Sequence, residues 1–410
     1  MKFFIKTLVF FFASIQVFYG QSMNWTTQSS PSTQNLYGVA YSDTSLWVAV
    51  GSSGTIIRSV DGGVNWALIS SPVNDQLRGV SFLGHLGLAV GISGRVLRTT
   101  DGGLNWTEEI RPTTRNLYSV SISSYMAVIT GEEGTILVSV DSGLTWTPHT
   151  AGTASVLFGV SVNDSTAVGV GGQGAVVMSV NGGNGWGLTI LGGQQVFFYS
   201  TSFVTGSTGW AVGSTAAPAG NVIIISTDYG FVWSAQTAPT TEQLFGVSFS
   251  SLLSGCAVGT NGAIIYTNDS GNTWLNISSG TTQTLSSVSF VNPSRGIAVG
   301  DGGTILRTDS GVPLKVDQPG SIASNFALEQ NYPNPFNPVT SINYQLPQTG
   351  FVTLKIYNIL GKEVATLVNE EKSAGNYTVK FDGTGIPSGV YLYQLRAGSS
   401  VELKKMILLK

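Results

Sequence analysis

The sequence predicts an all-β protein: a seven-bladed β-propeller whose N-terminal strand closes the last blade, followed by a small antiparallel β-sandwich. Three observations predict it. The stretch SVDGGVNW (Ser59 to Trp66) returns about every forty residues, six times with its tryptophan and a seventh time, from Arg307 to Gly311, cut short. A second signature, VAVG or a close variant, returns seven times, at 48, 88, 127, 167, 210, 256 and 297. Finally, NWTTQSSP (Asn24 to Pro31) is a near copy of NWALISSP (Asn65 to Pro72), which follows the first turn stretch. A fixed period of this size marks a repeat architecture, and it governs every other reading of the chain.

The chain begins with Lys2 and Lys6, an apolar run from Leu8 to Tyr19, and Gly20 before a polar segment. Residues 1–20 therefore read as a secretory signal peptide, with cleavage near Gly20 and no later membrane span in the mature chain. The propeller is expected over 21–311. In its second repeat, Leu77 to Phe82, Leu88 to Gly91 and Arg95 to Thr100 read as three strands; a turn follows, then an outer strand from Trp106 to Ile110. Four-stranded units apolar on both faces suit blades that cover one another.

Each returning stretch has the chemistry of a tight turn. Its aspartate can accept backbone N–H groups of its own turn, the glycine two places on permits positive φ, and the tryptophan covers an apolar seam. The acceptors are Asp61, Asp101, Asp141, Asn181, Asp228, Asp269 and Asp309. The fourth is an amide, so the position needs an acceptor and not a proton. These residues are read as structural. The seventh turn has Val312 and Pro313 where a tryptophan is due, and Asn24 to Pro31 supplies the missing outer strand, removing an open edge.

A boundary follows. No lysine occurs between Lys6 and Lys315, whereas seven follow Lys315. Residues 312–325 read as a linker and 326–410 as a separate module. NYPNPFNP (Asn331 to Pro338) excludes helix, because its prolines fix φ and remove donors. Beyond it, five segments beginning at Val352, Lys362, Asn376, Gly389 and Val401 alternate like strands.

The turn pattern S/T-x-D-x-G-x-x-W resembles the Asp-box (BNR) repeat of sialidases, sortilin-type receptors and photosystem II assembly and stability factors. Seven repeats with an N-terminal closing strand look like the last of these, over residues 24 to about 311. The tail, with YPNPFNP, Ile356 to Val364, Pro387 to Leu395 and the terminal KKMILLK, resembles the C-terminal sorting domain of the type IX secretion system. That resemblance implies passage across an outer membrane and a place at the cell surface or outside the cell, with the secretion machinery as partner of residues 326–410.

Composition limits function. Charged residues are 10% of the chain, the formal net charge is −3, and no basic patch supports nucleic-acid binding. The single cysteine, Cys256, lies in an apolar run and reads as a buried hydrophobe. His85 and His149 fall at different points of different repeats, so no metal cluster or catalytic triad is indicated, and no cofactor is expected. The sialidase Phe-Arg-Ile-Pro motif is absent, and the repeated Arg58, Arg98 and Arg307 read as structural.

Antiparallel order puts the connections from strand one to two and from three to four on one face, and the two-to-three connections on the other. The second face carries what differs between repeats: the insertion Ser214 to Gly220, Asp75, Arg111, Arg115, Glu132, Glu133, Glu242 and Asp301. At the start of the inner strands one position reads Tyr37, Arg78, Tyr118, Phe158, Tyr199, Phe245 and Ser286 around the ring. These side chains pack on the next blade or form an aromatic cup; the first six are the candidate ligand site. The expected function is a non-enzymatic binding or scaffold module for a glycan or protein. The alternative is a glycoside hydrolase using two of Glu132, Glu133, Asp301, Asp75 and Glu242. A third reading, assembly factor for a membrane complex, follows from the family resemblance alone.

Overall fold

The structure is a computed structural model describing residues 23–309 except 217–218, and 326–409 except 329, 332–333, 374 and 399. The leader read at 1–20 and the linker read at 312–325 lie outside the described residues. The chain separates into two compact units, Met1–Lys315 and Val316–Lys410.

The first unit is a seven-bladed propeller of four-stranded antiparallel sheets. Blade 1 comprises Leu36–Tyr41, Trp47–Gly51, Ile56–Ser59 and Ala67–Ile69, and the next five blades repeat this order. Blade 7 takes Leu285–Asn292, Arg295–Gly300 and Ile305–Thr308 from the end of the propeller and Thr26–Thr27 from its beginning, with Thr26 opposite Arg307. The second strand of each blade is buried over nearly its whole length, because both faces of the sheet are covered by neighbouring blades.

Seven apolar clusters fill the seven interfaces between adjacent blades. Each turn tryptophan lies in the interface between its own blade and the preceding one; Trp106, for example, packs with Val48 and Val50 of blade 1 and sits edge-to-face on Phe82 at 6.0 Å. Trp25 takes this place between blades 6 and 7, edge-to-face on Phe290 at 5.8 Å. The N-terminal strand thus supplies both the outer strand and the wedge that the seventh turn lacks. The turn glycine is required twice over: Gly63 has φ 86°, and a Cβ there would stand 2.5 Å from Ile297 Cδ1 of blade 7.

Around the axis the inner strands are joined by hydroxyls. Ser119, Ser200 and Ser287 accept the N–H of Val160, Val247 and Val39 on the next blade, at 3.2 to 3.3 Å. Ser121, Ser161, Ser202 and Ser248 do the same one step further along, at 3.0 to 3.1 Å. These serines satisfy inner-strand donors that a sheet edge would otherwise leave unpaired.

The second unit is a small two-sheet structure. One sheet has the order Ala327–Leu328, Val339–Leu346, Gly375–Asp382; the other has Glu363–Lys372, Gly350–Asn358, Gly389–Ala397, Ser400–Leu408. The strand Val339–Leu346 adds to those read from the sequence, and its alternation buries Thr340, Ile342, Tyr344 and Leu346. One core, built around Ile342, Leu354, Ile356, Tyr393, Leu395 and Met406, joins the two sheets.

Candidate functional site

The two faces of the propeller are fixed by backbone hydrogen bonds. Gly62 and Gly102, in turns after third strands, donate to Ser45 and His85 in the one-to-two connections of the same blades. On the other face Ser52, Ile92 and Glu132, in the two-to-three connections, donate to Asn35, Gln76 and Asn116 at the entry of each inner strand.

On the turn face the aspartates are consumed by their own turns. Asp61 Oδ1 accepts from Val64 N–H (3.1 Å), Asn65 N–H (2.9 Å) and the Ser59 hydroxyl (2.8 Å), while Oδ2 accepts the Asn65 amide (2.7 Å). Asp101 and Asp141 repeat the pattern. Asp228 and Asp269 accept N–H groups of Val232 and Thr273 at 2.9 and 2.8 Å. At Asn181 the amide oxygen replaces the carboxylate, accepting from Ser179 (2.9 Å) and Gly185 N–H (3.0 Å). Three of these acids are held low by such bonds: the Asn65 N–H leads in lowering Asp61 to about 2, the Asn105 N–H likewise for Asp101, and the Thr145 hydroxyl leads in lowering Asp141 to about 2. Asp309 differs, pairing with Arg295 (2.8 Å) and with Arg307.

The repeated arginines tie neighbouring blades. Arg58 Nε donates to Gly102 O (2.8 Å), Arg98 Nε to Ser142 O (2.9 Å), and Arg307 Nε to Gly62 O (2.8 Å), each reaching the turn of the following blade. The last of these bonds crosses the ring closure.

On the opposite face Tyr37, Arg78, Tyr118, Phe158, Tyr199 and Phe245 come together with Thr284 and Ser286 around a mouth of about 270 Å³. A recess of about 150 Å³ follows the inner strands inward from the same ring. All six candidate residues are half-buried. Neighbouring rings touch: Tyr118 and Phe158 lie 5.4 Å apart, Phe158 and Tyr199 5.4 Å, Tyr199 and Phe245 5.1 Å, all at steep angles. Packing on the next blade and lining the mouth are therefore one arrangement. Arg78 stands where five of the other six blades carry an aromatic, with its guanidinium carbon 4.4 Å from the centre of the Tyr37 ring and 5.8 Å from that of Tyr118.

The rim is polar. The Tyr37 hydroxyl accepts from Ser52 (3.1 Å), the Tyr118 hydroxyl donates to Glu132 (3.2 Å), and the Tyr199 hydroxyl bonds Ser214 (3.2 Å). Ser214 belongs to the insertion, which lengthens the blade 5 hairpin to Gly209–Ala216 and Ala219–Ser226. Burial, with the Glu132 charge second, raises the Tyr118 hydroxyl. Thr284 is the lining residue that sequence reasoning missed; its counterparts Asn35, Gln76, Asn116 and Gln243 are amides, and that departure is the signal that could have found it.

The acids of this face other than Asp301 are engaged locally. Glu132 accepts from the Asn116 amide (2.8 Å) and N–H (3.2 Å), and the amide leads in holding its carboxyl below the usual range. Glu242 is also lowered, chiefly by the Thr260 hydroxyl and then by the Asn261 amide. Asp75 pairs with Arg95, which also meets Glu108 at 2.5 Å; Arg111 joins Glu108 at 3.0 Å, and Glu133 pairs with Arg115 at 2.5 Å. Glu132, Glu133 and Asp301 sit in three-residue turns found after the second strand of six blades, so they decorate a repeated turn and not a divergent loop.

Comparison with known proteins places both units. Residues 19–165 match the family described as photosynthesis system II assembly factor YCF48, and residues 330–409 match the secretion system C-terminal sorting domain. No curated protein matches the chain significantly. The structure described as YCF48 bound to D1 peptide is 21% identical, with 70% of this chain and 97% of that chain covered and a TM-score of 0.58. YCF48 from Cyanidioschyzon merolae is 18% identical over 69% and 98%, with a TM-score of 0.58. The WD40 propeller domain of Doa1 is 12% identical over 70% and 96%, with a TM-score of 0.56. The chain resembles a YCF48-type propeller joined to a type IX secretion sorting domain.

Proposed function

We propose that this chain is an exported, non-enzymatic binding module: a propeller of the YCF48 kind, delivered to the cell surface or beyond by its sorting domain, that takes a glycan or a protein segment into the mouth opposite the aspartate turns. The observation that carries this reading is the convergence of Tyr37, Arg78, Tyr118, Phe158, Tyr199 and Phe245 on one concavity. Five rings and a guanidinium offer apolar contact with a point of charge, while the turn face offers aspartates already engaged by their own turns or, at Asp309, by Arg295 and Arg307.

The acids support binding over glycoside hydrolysis. A glycosidase needs one carboxylic acid with a raised pKa beside a second carboxylate. Glu132 and Glu242 are instead lowered, and Asp75 and Glu133 are tied to arginines. A protein ligand gains support from the similar YCF48 described with a bound peptide.

The test is a glycan and peptide array followed by calorimetry. Tyr118→Ala and Tyr199→Ala should each weaken binding by about 1 kcal/mol or more through a lost ring contact, while Asp61→Asn should bind like the parent. Unchanged affinity in both tyrosine variants, with loss in folded turn variants, would move the site to the other face.

A further inference from the structure

We propose that the mouth is a receptor for an acidic sugar, with Arg78 pairing the sugar carboxylate; this rests on the mouth being the binding site. Arg78 has no hydrogen bond or ion pair among the described residues, and its Nε is buried without an acceptor. Its guanidinium is held by rings alone, over Tyr37 and beside Tyr118. By contrast Arg58, Arg98 and Arg307 each donate to a carbonyl of the next blade, and Arg95, Arg115 and Arg295 each have a carboxylate partner. The buried Nε is out of a ligand's reach, but the terminal guanidinium nitrogens have no acceptor among the described residues and are the donors left for a ligand in the mouth.

The charge balance favours a monoanion. Glu132 lies one ring away, bonded to the Tyr118 hydroxyl, so a ligand with two or more negative charges would meet one guanidinium and one opposing carboxylate. A carboxylate matches the guanidinium fork, and a second charge would be repelled.

The remaining lining favours a hydroxylated body over a peptide end. Peptides that add to a propeller wall need a row of unpaired backbone groups. Here the inner-strand N–H groups of Val39, Val160 and Val247 are already taken by serines of the preceding blade. Thr284 and Ser286 offer hydroxyls that both donate and accept, and the rim tyrosines carry hydroxyls of the same kind. A mouth of about 270 Å³ has room for a single sugar ring at a chain end.

The test is calorimetry on the full chain with galacturonic acid, its neutral methyl ester, and a short peptide with a free or amidated C-terminus. The proposal expects the acid to bind, with affinity falling as salt is raised, and esterification to weaken binding at least about tenfold. Arg78→Met should lose that tenfold for the acid and bind the ester as the parent does, while Arg78→Lys should recover part of the loss. A thermal melt confirms that the variants are folded. Equal binding of acid and ester by parent and Arg78→Met would overturn the role of Arg78 and leave the mouth as binding site. Acid binding that ignores Arg78→Met, Tyr118→Ala and Tyr199→Ala alike would overturn the mouth itself. No binding of the acid, or capture of the free-carboxylate peptide alone, would overturn the sugar assignment.

Discussion

Ring closure can be measured on a single side chain. Trp25 is 8% exposed and packs with Met23, Tyr266, Phe290 and Leu306 in the wedge between blades 6 and 7. Trp25→Ala empties that wedge beside the blade 7 sheet, in which the first strand of the propeller pairs with its last over only two residue pairs. The neighbours belong to two different sheets, and they cannot refill the space without moving a blade. Truncation of a buried tryptophan costs about 3–5 kcal/mol, and each kcal/mol shifts the midpoint of a propeller of this size by about 1.6 °C. A fall in Tm of about 5–8 °C is therefore expected. The assay is calorimetric melting of the purified propeller, with Leu275→Ala as control: Leu275 lies on the outer strand of blade 6, is 52% exposed, and should change stability by no more than about 0.5 kcal/mol. Equal midpoints for the two variants would refute the closure reasoning and mean that blade 7 is held without its N-terminal strand.

Removing residues 327–410 should leave a folded propeller that is no longer exported, since the sorting unit has a core of its own around Leu354, Tyr393 and Leu395; fractionation of the producing cells checks this, and normal appearance outside would refute the address role. Acid should weaken the propeller in a defined window. Asp61, Asp101 and Asp141 have folded pKa values of about 2, below the ordinary 3.8, so the stability they give is complete above about pH 4 and is lost as pH falls toward 2. Melting midpoints between pH 5 and pH 2 should fall, and Asp61→Asn should make the fall shallower, because its amide oxygen can accept as Asn181 does without titrating. A slope identical to the parent would show that Asp61 does not contribute.

Much of the fold was legible because it repeats. A turn that needs positive φ at one glycine, an acceptor at one aspartate and a large ring at one tryptophan leaves the same mark each time it is built, and seven marks fix the blade count. The near copy of Asn65 to Pro72 at Asn24 to Pro31 exposed the closure for the same reason. The site was legible only as a position in the repeat: the register that aligns Tyr37 with Arg78 and Tyr118 says that they share a level around the axis, not what they do there.

The sequence by itself determined the all-β class, the seven blades, the closing strand and the sorting tail, because these depend on local turn chemistry and on patterns that recur along the chain. Only the tertiary structure decided that Arg58, Arg98 and Arg307 reach the next blade's turns while Arg78 reaches nothing but rings, and that Glu132 is spent on Asn116 and Tyr118. It also brought Thr284 into the mouth and drew Ser214 of the insertion onto Tyr199. The physical reason is distance along the chain. Turn and strand preferences act between residues a few positions apart, whereas the partner of a charge is set by which blades close against each other, and blade 7 meets blade 1 only after the whole ring has formed.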